Sequence, residues 1–210
     1  MNLPNLLTIL RIFFVPLLVA VLVEQDAFVA WRGNILISNE FLALAIFLIA
    51  AGTDLIDGYL ARRWGQVTTV GTLLDPIADK LLISAALISL VQIRQIPAWM
   101  VIIIIGREFA VTGLRSIAAA EGYTIKAGEL GKTKMVAQVA AISVMLISIR
   151  WTGLHTAAMA CMWVVVVFGL ASAVDYFMKF WRRVDEQVKR RRRTELLALE
   201  RDRKRSPAIQ

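Results

Sequence analysis

Residues 54–79 read DLIDGYLARRWGQVTTVGTLLDPIAD and place four aspartates between two strongly apolar stretches. The flanking segments, 41–51 and 81–91, have the composition of membrane helices. A carboxylate inside such a helix is costly unless something compensates its charge, so acids at this depth indicate a functional site. Four of them at these spacings indicate one shared cation.

The composition of the whole chain favours a membrane protein. Its 210 residues are 58% hydrophobic, which is more than a soluble domain of this length would contain. A helix needs about 20 mostly apolar residues to cross the core of a bilayer. We therefore predict an all-α integral membrane protein with six transmembrane helices in one bundle. The six apolar windows lie at about 5–23, 41–62, 67–91, 97–120, 130–150 and 154–178.

The predicted organisation is a membrane domain, residues 1–180, followed by a basic cytoplasmic tail, residues 181–210. The tail is either helical from Arg182 to Arg203 or largely disordered. The first window has no basic leader and no small-residue cleavage site, so we expect a retained helix rather than a signal peptide. The single cysteine, Cys161, allows no internal disulfide, and we interpret it as a small apolar side chain of helix six.

The basic residues are concentrated at the end of the chain. The net charge is +8, and residues 179–210 contribute +7 of it through twelve Lys/Arg and five Asp/Glu. Basic runs also occur in nucleic-acid-binding proteins, but the run 189–193 follows a membrane helix. We therefore predict contact with anionic lipid headgroups and no nucleic acid. The positive-inside rule places the tail in the cytoplasm, and six spans return the N-terminus to the same side.

This topology brings the charged residues of helices two to five to the cytoplasmic side of the membrane. Because they fall at one depth on one side, we predict a polar cavity open to the cytoplasm. The residues are Asp54, Asp57, Asp75, Asp79, Arg107, Arg115, Lys132 and Lys134.

Helical spacing predicts that the four aspartates face one another. Residues three or four apart share a helix face, so Asp54 and Asp57 form one stripe and Asp75 and Asp79 form another. The turn between the two helices is short, which makes them antiparallel neighbours. Oxygen ligands without a nearby His or Cys favour a hard cation, Mg²⁺ or Mn²⁺, which commonly also contacts substrate phosphates. The alternative is that the acids only form ion pairs with nearby arginines, which leaves their close spacing unexplained.

The full pattern, D-x2-D-G-x2-A-R-x8-G-x3-D-x3-D, resembles the signature of the CDP-alcohol phosphotransferases, and every specified position matches. Further segments are similar to those of the bacterial phosphatidylglycerophosphate synthases within that family. Met135 departs from the last of these segments, where threonine is expected. The segments are Pro4-Asn5-Leu6-Leu7-Thr8-x-x-Arg11, Gly106-Arg107-Glu108, Gly113-Leu114-Arg115 and Gly131-Lys132-x-Lys134-x-x-x-Gln138.

The resemblance implies a six-helix homodimeric enzyme of the bacterial inner membrane, with its site on the cytoplasmic side. Such an enzyme transfers a phosphate-linked group from a CDP-linked donor to an alcohol and releases CMP. The resemblance implies that Asp54, Asp57 and Asp75 bind metal, and that Asp79 is the general base and a ligand to a second ion. The residues implied to contact the donor are Gly58, Ala61, Arg62, Asn5 and Thr8.

Four basic residues remain for an anionic acceptor: Arg107, Arg115, Lys132 and Lys134. Arginine suits a phosphate because its planar fork donates two hydrogen bonds. Our hypothesis is that these residues hold the phosphate of sn-glycerol 3-phosphate while Asp79 activates its 1-hydroxyl for attack on CDP-diacylglycerol. Inositol phosphate fits the charge pattern nearly as well. Serine carries no phosphate and would leave the cations without a role, and phosphatidylglycerol is a further candidate acceptor.

A hypothesis of another class is a cation transporter that uses the aspartates as its ion path. It predicts metal flux that requires no CDP-lipid. Nothing in the sequence resembles the inverted repeats or paired broken helices of such transporters. A purely structural membrane scaffold would leave the acids in the apolar helices unexplained.

Overall fold

The computed structural model describes residues 3–24, 29–31, 34–64, 69–121 and 130–205. Within these ranges the chain is mainly helical, and each helix lies on one of the predicted apolar windows. The helical class is therefore confirmed. The helices are α1 (Leu3–Val23), α2 (Asn39–Trp64), α3 (Thr69–Gln92), α4 (Ala98–Ala120), α5 (Leu130–Arg150) and α6 (His155–Arg205), with a short 3-10 turn at Thr152–Leu154.

A small β-hairpin lies between α1 and α2, in the segment between the first two predicted apolar windows. Strand β1 (Val29–Trp31) pairs antiparallel with β2 (Asn34–Ile37). The β-branched and aromatic residues of these strands favour extended backbone, which accounts for the pairing. The hairpin is a local addition to an otherwise helical fold, and it lies at the end of the bundle opposite the aspartates.

The helices pack as two groups that share one core. Helix α1 packs against α2 and α3, α6 packs against α4 and α5, and contacts between α2 and α5 join the groups. The core is aliphatic, and α3 contributes to it from Leu82 to Leu90. Asp79 and Lys80 precede this apolar segment by one turn, so α3 changes from polar to apolar along its length. This change leaves one end of the bundle lined by polar groups.

Helix α6 is much longer than a membrane span. Its 51 residues correspond to roughly 75 Å at the rise of an α-helix. Of the two structures considered for the tail, the helical one is present, and it continues without a break to Arg205. The sequence after Gly169 contains neither glycine nor proline before this point, so nothing in it ends the helix. The boundary at residue 180 is therefore not the end of a helix, and the division into two domains stays a prediction.

Length and composition identify two membrane-capable segments among the described helices, Leu6–Val23 and Thr152–Asp185. The apolar part of α2, Asn39–Thr53, is shorter. Helices α3 and α4 interrupt their apolar sequence with charged pairs such as Asp79–Lys80 and Arg107–Glu108. Such charges lower the apparent hydropathy of a helix even where they face the interior of a bundle.

Candidate active site

A cavity of about 400 Å³ lies between α3, α4, α5 and α6. Apolar side chains such as Ile83, Ile104 and Phe109 form part of its wall. Its polar lining is shared among the four helices, so the site depends on their packing. The polar and charged lining residues are Asp79, Lys80, Ser84, Glu108, Thr112, Arg115, Lys134, Gln138, Ser172, Asp175, Tyr176 and Lys179.

Asp79 is the predicted general base, and its position on α3 places it in the cavity wall. The residue before it, Ala78, is fully buried, whereas Asp79 itself is half-buried. Pro76 lies inside the helix just before both. A carboxylate at this position can receive a proton from an alcohol bound in the cavity, which is the geometry that a general base requires.

Two of the four cations predicted for the acceptor line the same cavity as Asp79. Arg115 reaches it from α4, and Lys134 reaches it from α5. The Arg115 guanidinium lies over the ring of Tyr176, 5.5 Å from the ring centroid, and this cation–π contact holds it against α6. The structure thus brings Asp79 and Lys134, which are 55 positions apart in the sequence, to one cavity.

Glu108 joins two of the predicted acceptor cations. Its Oε1 lies 3.0 Å from Arg107 NH2 and 2.7 Å from Lys134 Nζ. The structure pairs Glu108 within the bundle, with a lysine of another helix. Because Lys134 is on α5, the ion pair also fixes α5 against α4 at the cavity.

Arg107 lies behind this ion pair and is not part of the described cavity lining. Its side chain is buried, and its guanidinium packs against Gly169 of α6. The distance to Glu108 satisfies an ion pair, yet the guanidinium nitrogens make no hydrogen bond with favourable geometry in the described part of the chain. Arg107 therefore contacts the site through Glu108, and direct contact with an acceptor stays a prediction.

Lys80 is a cavity residue that the sequence reading missed. Its Nζ donates a hydrogen bond of 2.5 Å to Thr112 Oγ1, and Thr112 donates in turn to the carbonyl oxygen of Glu108 at 2.8 Å. The threonine hydrogen is committed to the helix, so its oxygen is available to accept from Lys80. A lysine directly after an aspartate in an apolar helix was the available signal.

Helix α6 supplies further lining residues that the sequence reading did not assign. Asp175 and Lys179 form an exposed i,i+4 ion pair of 2.6 Å, and Tyr176 lies between them. The available signal was a charged pair at the end of the sixth window, since Asp175 lies inside it and Lys179 directly follows it. Its spacing alone does not reveal that the pair lies at the cavity, because this depends on how α6 packs against α4.

For the remaining predicted site residues, the structure describes at most which helix they belong to and not their side chains. Asp54 and Asp57 are on α2 and Asp75 is on α3, two helices that contact each other. This arrangement, and the oxygen donors themselves, fit a hard divalent cation. The residues whose side chains lie outside the described part are Asn5, Asp54, Asp57, Gly58, Ala61, Arg62, Asp75 and Lys132.

Thr8 is the donor-side candidate whose side chain is described. It is 1% exposed on α1, and Arg11, one turn further, is fully buried. A buried charge is costly unless another group compensates it, and Arg11 does interact with another group. The inward face of α1 therefore carries polar groups toward the interior of the bundle, and the role of Thr8 stays a prediction.

Comparison with known proteins finds a matching family model and several named relatives. A family model described as CDP-alcohol phosphatidyltransferase matches residues 1–171. A protein of Bacillus subtilis (strain 168), named CDP-diacylglycerol–glycerol-3-phosphate 3-phosphatidyltransferase, is 44% identical over 188 residues, which cover 86% of this chain and 95% of that protein.

Two further relatives carry related names. A probable phosphatidylglycerophosphate synthase of Mycobacterium tuberculosis (strain ATCC 25618 / H37Rv) is 36% identical, with 86% of this chain and 82% of that protein covered. A CDP-diacylglycerol–glycerol-3-phosphate 3-phosphatidyltransferase of Rickettsia felis is 32% identical, with 84% and 93% covered. The similarity covers more than four-fifths of each protein, so it is not confined to the segment that carries the four aspartates.

Proposed function

The chain belongs to the CDP-alcohol phosphatidyltransferase family, and we propose that it transfers a phosphatidyl group from CDP-diacylglycerol to the 1-hydroxyl of sn-glycerol 3-phosphate. The products are phosphatidylglycerophosphate and CMP. The similar proteins of Bacillus and Rickettsia are named for this donor and this acceptor. The enzyme class follows from the family, and the acceptor is the part that needs a structural argument.

The observation that carries the proposal is the shared cavity of Asp79, Arg115 and Lys134. A carboxylate beside two cations suits a substrate that has a phosphate to bind and a hydroxyl to deprotonate. Asp79 takes the proton of the 1-hydroxyl while the oxygen of that hydroxyl forms a bond to the lipid-side phosphorus. The bond between that phosphorus and the CMP oxygen breaks, and CMP leaves with the electron pair.

We propose that Asp54, Asp57, Asp75 and Asp79 hold divalent cations, Mg²⁺ or Mn²⁺, with two ions in the site. Bound there, the ions would neutralise the charge of the diphosphate. The contact between α2 and α3 and the oxygen-only donor set support this assignment. Asp79 lies one turn beyond Asp75 on α3, so it can serve the acceptor hydroxyl while Asp75 stays near the nucleotide.

The donor site is proposed to lie on the same side of the bundle. Gly58, Ala61 and Arg62 follow Asp54 and Asp57 on α2, and small residues there would leave room for the CDP group. Asn5 and Thr8 on α1 are proposed to contact it as well. The close packing of α1 on α2 and the inward position of Thr8 support this placement.

We further propose that the six helices all span the bacterial inner membrane, with both termini and the active site on the cytoplasmic side, as a homodimer. The family relationship and two strongly apolar helices support a membrane location. The charged residues of α3, α4 and α5 line the cavity or pair with each other. Their charges therefore face the interior of the bundle rather than lipid, which supports the proposal that these helices span the membrane. The basic end of α6 would lie on anionic headgroups.

Release of CMP by the purified protein in detergent tests the proposal. The assay contains CDP-diacylglycerol and Mg²⁺, with glycerol 3-phosphate, inositol phosphate or serine added separately. We expect release with glycerol 3-phosphate alone and none after chelation. Release with inositol phosphate instead would retain the reaction and refute the acceptor, and metal flux without CMP release would refute the enzyme assignment.

A further inference from the structure

We propose that Tyr176 and Gln138 recognise the non-reacting hydroxyl of the acceptor, which is the group on C2 of glycerol 3-phosphate. The inference rests on the proposed function. It adds two specificity-determining residues that distinguish a polyol phosphate from a simple alkyl phosphate.

Both side chains are buried in the wall of the cavity. Tyr176 is 6% exposed and Gln138 is 4% exposed, and both line the space that contains Asp79. In the described part of the chain, the Tyr176 hydroxyl and Gln138 Nε2 have no hydrogen-bond partner. Buried polar groups in folded proteins are nearly always paired, because an unpaired group loses its hydration without compensation. Two such groups in one cavity indicate that a ligand supplies their partner.

Several charged groups of the cavity are already engaged. Lys80 donates to Thr112, Lys134 pairs with Glu108, and Lys179 pairs with Asp175. These bonds fix the positions of the charged residues around the cavity. Tyr176 and Gln138 differ from them because the tyrosine hydroxyl and the Gln138 amide nitrogen are neutral, buried and without a hydrogen-bond partner in the described part of the chain.

The two residues lie next to the proposed phosphate-binding cations. The Tyr176 ring supports the Arg115 guanidinium at 5.5 Å. Gln138 follows Lys134 by four residues on α5 and therefore shares its helix face. An acceptor whose phosphate is bound by Arg115 and Lys134 presents its carbon chain to Tyr176 and Gln138.

The chemistry of these side chains suits a secondary hydroxyl. The Gln138 amide nitrogen is a donor, and the Tyr176 hydroxyl both donates and accepts. A substrate hydroxyl can accept from the amide and donate to the tyrosine oxygen, which satisfies all three groups. An acceptor without this hydroxyl would leave both protein groups buried and unpaired, and a site of this kind discriminates strongly against such an analogue.

The test compares glycerol 3-phosphate with propane-1,3-diol monophosphate, which keeps the phosphate and the reacting primary hydroxyl but lacks the middle hydroxyl. The variants are Tyr176→Phe, which retains the ring below Arg115, and Gln138→Met, which retains the side-chain volume. Gln92→Met is the matched control, since Gln92 is exposed at the far end of α3. CMP release gives kcat/KM for each acceptor.

We expect each cavity variant to lower kcat/KM for glycerol 3-phosphate about tenfold and to change that for the propanediol phosphate by less than about threefold. The control variant should leave both values unchanged. Equal loss with both acceptors, or no loss with either, would overturn the inference while the proposed function stands. If Tyr176→Phe does not fold, the same comparison for Gln138→Met decides. Absence of CMP release from the unaltered protein would overturn the proposed function as well.

Discussion

Glu108 Oε1 lies 2.7 Å from Lys134 Nζ and joins α4 to α5 beside the cavity. The same oxygen lies 3.0 Å from Arg107 NH2, so one carboxylate compensates two cations on neighbouring helices. Only about a quarter of the Glu108 side chain is exposed, at 24%, and Arg107 is 5% exposed. Water can therefore replace little of this interaction if the carboxylate is removed.

Glu108→Gln should both destabilise the protein and weaken acceptor binding. The change leaves the buried Arg107 without its charged partner, which should cost roughly 1–3 kcal/mol of unfolding free energy. The change also removes the ion pair that positions Lys134 at the cavity. The KM for glycerol 3-phosphate should therefore rise more than the KM for CDP-diacylglycerol. Thermal unfolding in detergent and steady-state CMP release measure the two effects. Glu195→Gln, on the exposed part of α6, is the control, and equal behaviour of the two variants would contradict the prediction.

Gly169→Ala should destabilise the contact between α6 and α4. A Cβ at this position would lie 2.9 Å from Arg107 Nε and 3.4 Å from its Cζ. Arg107 is buried and held by Glu108, so it has little room to move, and overpacking of this kind costs roughly 1–3 kcal/mol. The measurement is the midpoint of thermal unfolding in detergent.

Gly113→Ala provides the matched control, since a Cβ there would meet nothing within 4 Å. It also lies inside a helix, where alanine is preferred to glycine by about 1 kcal/mol. We expect its unfolding midpoint to be unchanged or raised. A midpoint for Gly169→Ala as high as that of the control would show that Arg107 rearranges freely, and would remove the basis of the prediction.

The sequence predicted the helices and pointed to three residues that line the cavity, because both depend on local patterns. Apolar windows located each helix, and charges inside them identified Asp79, Arg115 and Lys134, which share the cavity. The hydrogen bond between Lys80 and Thr112 was not predictable, since it depends on the rotation of α4 relative to α3. Spacing within one helix contains no information about that rotation.

Two elements, the tail and the β-hairpin, were not fully predicted from the sequence, each for a different physical reason. The sequence allows both a helical and a disordered tail, because its high charge opposes a folded core whereas the absence of a helix breaker favours a helix. The absence of a helix breaker accounts for the length of α6. The hairpin at 29–37 was missed since its strands are only three and four residues long, too short to give a periodic signal.

The basic part of α6 should bind anionic lipid in a salt-dependent manner. Lys189, Arg192 and Arg193 are exposed there, and each basic residue near an anionic surface contributes about 1 kcal/mol. In nanodiscs, trypsin should cleave the run 189–193 more slowly with phosphatidylglycerol than with phosphatidylcholine alone. High salt should abolish the difference, because the attraction is screened within a Debye length. Equal cleavage in both lipids at low salt would refute contact with headgroups.

Asp79→Asn should abolish turnover while the protein still binds CMP. The amide is close in size to the carboxylate and cannot take a proton from the acceptor hydroxyl, so kcat should fall by about 100-fold or more. CMP binding, measured by calorimetry in the presence of Mg²⁺, should change little if Asp54, Asp57 and Asp75 hold the nucleotide-side ion. Turnover close to that of the unaltered protein would remove Asp79 as the base, and loss of CMP binding would show that Asp79 also holds the nucleotide-side ion.

Arg115→Ala should raise the KM for glycerol 3-phosphate by about tenfold or more, because it removes a charge-assisted contact to the phosphate. The KM for CDP-diacylglycerol should stay within about twofold, since Arg115 lies on the α6 side of the cavity, over the Tyr176 ring. Arg115→Lys should recover part of the loss, as it keeps the charge but not the planar fork. Arg150→Ala is the control, an exposed arginine at the end of α5. An unchanged KM for glycerol 3-phosphate in Arg115→Ala would mean that the phosphate is bound by Lys134 and its neighbours alone.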